Sequence, residues 1–172
     1  RTQCDLRTMQ RALLLILSAS LITLGLSIKA QSDTSVIRIT HAPACDTTLT
    51  VTRLRQLPEH SATITGHDGE QATYSGALLW DVISAGCTSV SAATKRERIG
   101  MAVLIDASDG YRALVALMEA DTSFRDRPVL LCWAKNDTAL DDHDGPLQLI
   151  IPDDNRHARH VRKVTRITVV SP

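Results

Sequence analysis

Apolar and polar positions alternate with a period of two along several stretches of this chain. Val36-Ile37-Arg38-Ile39-Thr40 predicts a strand, and extended structure resumes at Leu49-Thr50-Val51 after a loop over residues 41–47 that carries Pro43. Thr52 is placed to cap a short helix through Leu54 and Leu57, stopped by Pro58. Strands over 61–65 and 71–74 flank the turn signal His67-Asp68-Gly69. Two more, 101–106 and 111–117, flank Asp109-Gly110, and in the second Tyr111, Ala113, Val115 and Leu117 share one face. The continuous apolar run 128–134 predicts a central strand, and Lys135-Asn136-Asp137 turns toward a further strand over 147–151. In the last strand, 164–170, Ile167 and Val169 alternate with Arg166 and Thr168. The period changes once to that of a helix. Leu78, Leu79, Val82 and Ile83 fall on one helical face, Asp81 suits the first turn, and Gly86 marks the stop. Strands outnumber helices and no repeat of 20–50 residues is visible, so the pattern predicts an α+β domain around a mixed sheet.

The first 30 residues have a different character. Met9-Gln10-Arg11 forms a short basic start, an apolar run follows over residues 12–28, and Ala30 offers a small residue for cleavage. The run falls short of the about 20 apolar residues a spanning helix needs, and Ser18, Ser20, Thr23 and Ser27 interrupt it. Residues 1–30 are therefore expected to be upstream residues plus a secretory signal peptide, and 31–172 a single domain that is periplasmic or secreted, with no membrane contact beyond the signal. Arg11 has no arginine neighbour, so the twin-arginine export signal is absent. A chain exported unfolded could not readily carry a cofactor inserted in the cytoplasm.

Residues 31–172 hold 15 basic and 18 acidic side chains, a net charge of −3. That balance argues against binding nucleic acid, which needs positive charge, and aromatics at 3% of the chain leave little for base stacking. An exported chain can keep disulfides, so Cys45 and Cys87 are expected to pair, while Cys132, inside the apolar run, reads as a buried small hydrophobe. Trp80 and Trp133 are expected in the core or at its edge.

Candidate chemistry is sparse. His157-Ala158-Arg159-His160 places two imidazoles at i, i+3, with His143 or Asp153 as further candidate ligands, but a pair falls short of the three or four ligands of a zinc site, and no metal site is assigned. Arg156, Arg159, Arg162 and Lys163 could cradle an anion, or could be a solvated segment balancing Asp153 and Asp154. Residues 88–100, with Lys95-Arg96-Glu97-Arg98 at their centre, are expected to be a solvated connection, with an anion-binding loop as the sharper alternative. Asp141-Asp142-His143-Asp144 is a polar turn with acid/base groups but no nucleophile beside it. No Gly-x-Ser-x-Gly elbow, P-loop, dinucleotide fingerprint or Cys-x-x-Cys occurs, so no catalytic residue is assigned.

Four segments in order resemble the molybdopterin-binding domain of sulfite-oxidase-type oxidoreductases, over roughly residues 49–170. They are Tyr74-Ser75-Gly76-Ala77-Leu78-Leu79-Trp80-Asp81, Ser108-Asp109-Gly110-Tyr111, His143-Asp144-Gly145-Pro146-Leu147-Gln148-Leu149-Ile150-Ile151-Pro152, and Val161-Arg162-Lys163-Val164. The resemblance implies a sulfite-oxidase-like fold, molybdopterin as the possible cofactor, and a ligand cleft at Asp109, Tyr111, His143 and Arg162. Three features depart from it. Residues 62–69, where the family's molybdenum-binding cysteine should fall, hold no thiol, Gln148 stands in the place of an arginine, and the second export arginine is absent. The expectation is thus a binding module without molybdenum, taking a small anionic ligand or an envelope protein partner. Its rivals are a molybdopterin-dependent oxidoreductase and a structural module of an envelope complex.

Overall fold

The structure, a computed structural model, describes residues 35–127 and 129–171. The expected leader, 1–30, lies outside the described residues, as does Pro128 at the start of the predicted central strand. Among the described residues no helix is long and apolar enough to cross a membrane.

Among the described residues, ten strands form two five-stranded sheets with short helices between them. The first sheet joins β1 (Val36–His41), β2 (Cys45–Thr50), β5 (Ala102–Ala107), β6 (Arg112–Ala116) and β10 (Val164–Val170) in the order β2-β1-β10-β5-β6. Its pairs are antiparallel except β1 with β10, where Ile39 lies opposite Ile167 in parallel register. The second sheet runs β3 (His60–Thr65), β4 (Gln71–Leu78), β7 (Leu130–Lys135) and β8 (Thr138–Ala139), with β9 (Gln148–Ile150) also pairing to β7. The chain is an α+β domain.

Alternation decides which side chains meet in the core. Ile37, Ile39, Val103, Ile105, Ile167 and Val169 are all turned inward and are buried to within 2% of full burial. The helix α2 (Leu79–Gly86) packs on them through Leu79, Val82 and Ile83, as its spacing predicts. Gly86, the last residue of that helix, stands there for a reason of space. A Cβ there would lie 2.5 Å from Ile39 Cδ1, so the glycine lets the helix end meet β1. Beside it the Cys45–Cys87 disulfide ties β2 to the end of α2.

Three local expectations give way to tertiary structure. The predicted loop at 41–47 is a tight turn at Ala42, Pro43 and Ala44, with β2 starting at Cys45 as the antiparallel partner of β1. The following helix, α1 (Val51–Leu54), is capped by Thr50, whose hydroxyl accepts from Arg53 N, and not by Thr52. The predicted connection at 88–100 folds into α3 (Thr88–Ala92) and α4 (Lys95–Ile99). Thr94 and Glu97 form a capping box that starts α4. Two of its basic side chains are engaged in packing: Arg98 lies 4.9 Å over Trp80 and pairs with Asp121, and Lys95 lies 4.5 Å over Phe124. They are not arranged as an anion loop.

Candidate functional site

A cleft of about 350 Å³ opens where the two sheets meet the segments before β10, lined by Tyr74, Asp109, Tyr111, Gln148, His157, His160 and Arg162. Each of the four segments quoted above contributes to it: Tyr74 from β4, Asp109 and Tyr111 from the β5–β6 turn, Gln148 from β9, and Arg162 from the approach to β10. Residues far apart in the chain thus converge on one place.

The β5–β6 turn is built by Gly110, whose φ of +88° a side chain would resist, and by Asp109, whose Oδ1 accepts from Tyr111 N at 2.9 Å. Ser108 N donates to Lys163 O at 3.0 Å, which fastens this turn to the segment bearing Arg162. The Tyr111 hydroxyl donates to Ala158 O and so bridges to the 3-10 turn His157–Arg159. Tyr111 begins outside β6 and is 48% exposed, whereas Ala113, Val115 and Leu117 are buried; it shares their parity but not their environment.

Arg162 and His143 meet through a third residue. Asp144 Oδ1 accepts from Arg162 Nε and from His143 Nδ1, both at 2.9 Å, and Arg162 Nη1 lies 3.4 Å from His143 Nε2. A proton on Nδ1 would leave Nε2 of His143 free to accept from the arginine. Next in sequence, Lys163 holds a left-handed φ of 51° while its N donates to Asp144 O at 3.1 Å. His143 does not line the cleft. It stands behind Arg162 and helps to orient the guanidinium.

The basic cluster divides by role. Arg159 is an anchor, with Nε on Asp154 Oδ2 at 2.9 Å and Nη1 on Glu119 Oε2 at 3.0 Å. Arg162 alone of Arg156, Arg159, Arg162 and Lys163 lines the cleft. The Arg159 anchor fixes the histidines on either side of it. His157 and His160 stack with ring centroids 4.5 Å apart and planes 9° from parallel, and His67, from the β3–β4 turn, lies 5.4 Å from His157. His160 Nε2 faces the Ile151 carbonyl at 3.1 Å, and burial pushes its pKa below the usual 6.5 despite the opposing pull of that hydrogen bond. The sequence pairs His157 with His160 but gives no sign that His67 joins them.

Gln148 forms the floor. It is 4% exposed, and its Oε1 is buried with no hydrogen-bond partner in the protein. Among the described residues, one group of three acidic or histidine side chains brings its ligand atoms within 4.8 Å of one another: Asp141, His143 and Asp144. Asp141 Oδ1 is already occupied by His143 N and Asp144 N, and Asp144 by Arg162, so these groups build the turn.

Among the described residues no cysteine lines the cleft. Cys45 and Cys87 are bonded to each other, and Cys132 lies opposite Gln148 across β7–β9 but is fully buried against Ile64, Leu78, Leu130 and Ile150. Burial raises its thiol pKa far above the ordinary range, so it is not a thiolate. The donor set that the described residues bring to the cleft does not fit a thiolate-held molybdenum.

No family model and no curated protein matches the chain. Among solved structures, the sulfane dehydrogenase SoxCD from Paracoccus pantotrophus is similar, with a TM-score of 0.62 and 14% identity over 81% of this chain. The match takes in 39% of that protein, so this chain spans about two fifths of its length. At this identity the likeness is one of fold alone.

Proposed function

We propose that the chain is an exported ligand-binding module on a sulfite-oxidase-like fold, and that its cleft takes a small anion without molybdenum chemistry. The observation that carries this reading is the convergence of Tyr74, Asp109, Tyr111, Gln148 and Arg162, from four separate segments, on one cleft. Arg162 supplies a fixed positive charge whose direction is set by Asp144 and His143. Gln148 Oε1 supplies a desolvated acceptor. A buried acceptor left unpaired costs about 1–3 kcal/mol, so the floor favours an anion that also carries a hydroxyl or N–H donor, such as hydrogen phosphate or a hydroxy acid. The lack of a cleft thiolate supports the reading without molybdenum, and the Cys45–Cys87 disulfide suits an oxidising compartment.

The test is thermal unfolding across a panel of phosphate, sulfate, thiosulfate and small hydroxy acids. At least one should raise Tm saturably, and Arg162→Ala and Tyr111→Ala should abolish the rise with little change in the unliganded protein. Unchanged stabilisation in both variants would move the site elsewhere. The fold likeness favours a second reading, a molybdopterin-dependent oxidoreductase; stoichiometric molybdenum and pterin in protein from its native compartment would establish it and sink the first. An envelope structural module instead predicts no response to any anion and a defined partner in pull-down.

A further inference from the structure

A second cavity, of about 510 Å³, shares no lining residue with the Arg162 cleft. It opens where the parallel strands β1 and β10 end: His41 closes β1 and Ser171 follows β10. The segment 88–101 supplies the rest of its wall, with Ser89, Ala92, Ala93, Glu97 and Met101. In open α/β sheets the carboxyl ends of parallel strands are where ligands bind. Ligand cavities commonly enclose about 300–1,000 Å³ and join an apolar wall to a few polar groups. Here Ala92, Ala93 and Met101 are the wall, and one carboxylate stands among the polar groups.

The charge of the lining has one sign. Among the described residues, neither lysine nor arginine lines the cavity, and Lys95 and Arg98 lie over Phe124 and Trp80. The Glu97 carboxylate is half used: Oε2 accepts from Thr94 N at 2.7 Å and from Thr94 Oγ1 at 2.8 Å, whereas Oε1 takes no hydrogen bond among the described residues. The backbone and hydroxyl of Thr94 hold this carboxyl below its usual pKa, so it stays ionised. At the strand ends, His41 Nε2 and Ser171 Oγ lie 3.0 Å apart and satisfy each other, which leaves the serine oxygen a lone pair for a donor.

We propose that this cavity is a second ligand site and takes a small primary amine with an apolar body, its ammonium on Glu97 Oε1. An ammonium brings three donors and no acceptor, which suits a carboxylate flanked by serine hydroxyls. Its hydrocarbon part lies against the alanines and Met101, whose thioether adapts to irregular shapes. One carboxylate is too small a ligand set for a metal ion. The two cavities thus select ligands of opposite charge, and neither site depends on the other.

The test is titration calorimetry of the full chain with benzylamine, its neutral counterpart benzyl alcohol and the anion benzoate, paired with backbone amide NMR. Benzylamine should bind saturably and about 5-fold tighter than the alcohol, with benzoate weaker still. Amide shifts should centre on Ser89, Ala93, Glu97 and Ser171. Glu97→Gln removes the charge but keeps the capping box, in which glutamine also serves; the amine should then bind no more tightly than the alcohol, with Tm little changed. Ala92→Trp, at an exposed wall position, should block both. Absence of saturable binding, equal affinity for amine and alcohol in the natural chain, a preference that survives Glu97→Gln, or shifts centred on Tyr111 and Arg162 would each overturn the proposal.

Discussion

Gln148 carries an amide whose Oε1 is buried and meets no partner in the protein. Replacing it by methionine keeps the volume and removes the orphan acceptor. Gln148→Met should therefore stabilise the unliganded protein by about 1 kcal/mol in urea denaturation, while weakening any anion-dependent rise in Tm. His160 gives a prediction in pH. Its folded pKa lies below 6.5 because burial disfavours the charged ring, so the unfolded chain binds the proton first as pH falls. Stability should be level above about pH 6.5 and decline from there down to the folded pKa. His160→Gln should flatten that part of the pH profile of urea midpoints; an unchanged slope would assign it to other groups. Both residues are named by the sequence, Gln148 as a missing arginine and His160 as half of a pair. Their burial is not, because it depends on what covers them.

At the scale of elements, the pairing of β4 with β7 rests on an atom that is absent. A Cβ at Gly76 would fall 2.1 Å from Leu131 O and 2.5 Å from Cys132 Cα, and these are backbone atoms that cannot step aside. The register shifts at this point, between Ser75 and Gly76. Gly76→Ala should cost about 3 kcal/mol or more and be visible as lost soluble yield or a lowered urea midpoint. The capping box of α4 offers a milder test: Thr94→Ala should cost about 1 kcal/mol, read the same way. Strand alternation predicts the core faces of β1, β5, β6 and β10 because a half-buried strand must put every second residue inside. The helices α3 and α4 escape a reading by hydrophobic period since their apolar residues are few, although Thr94-x-x-Glu97 is a signal that a search for caps would have found.

Over the whole molecule, the Cys45–Cys87 link closes a span of 42 residues that includes β3, β4 and the whole of α2. In the chain-entropy view a loop of this length contributes about 4 kcal/mol. Cys87→Ser in a Cys45→Ser background should lower stability by about 2–4 kcal/mol, measured against the oxidised protein in urea.

Periodicity and turn chemistry in the sequence are enough to determine an α+β chain with short helices, the inward faces of its long strands, and the turns at His67-Asp68-Gly69 and Asp109-Gly110. These are local properties, set by backbone sterics and by the need to bury one face. Tertiary structure alone decides that β1 lies parallel to β10 and that the strands divide into two sheets. It also decides that Arg159 is an anchor while Arg162 faces the cleft, and that His67 meets His157. Each of those facts joins residues distant in the chain, and no spacing along a sequence encodes which distant groups packing will bring together.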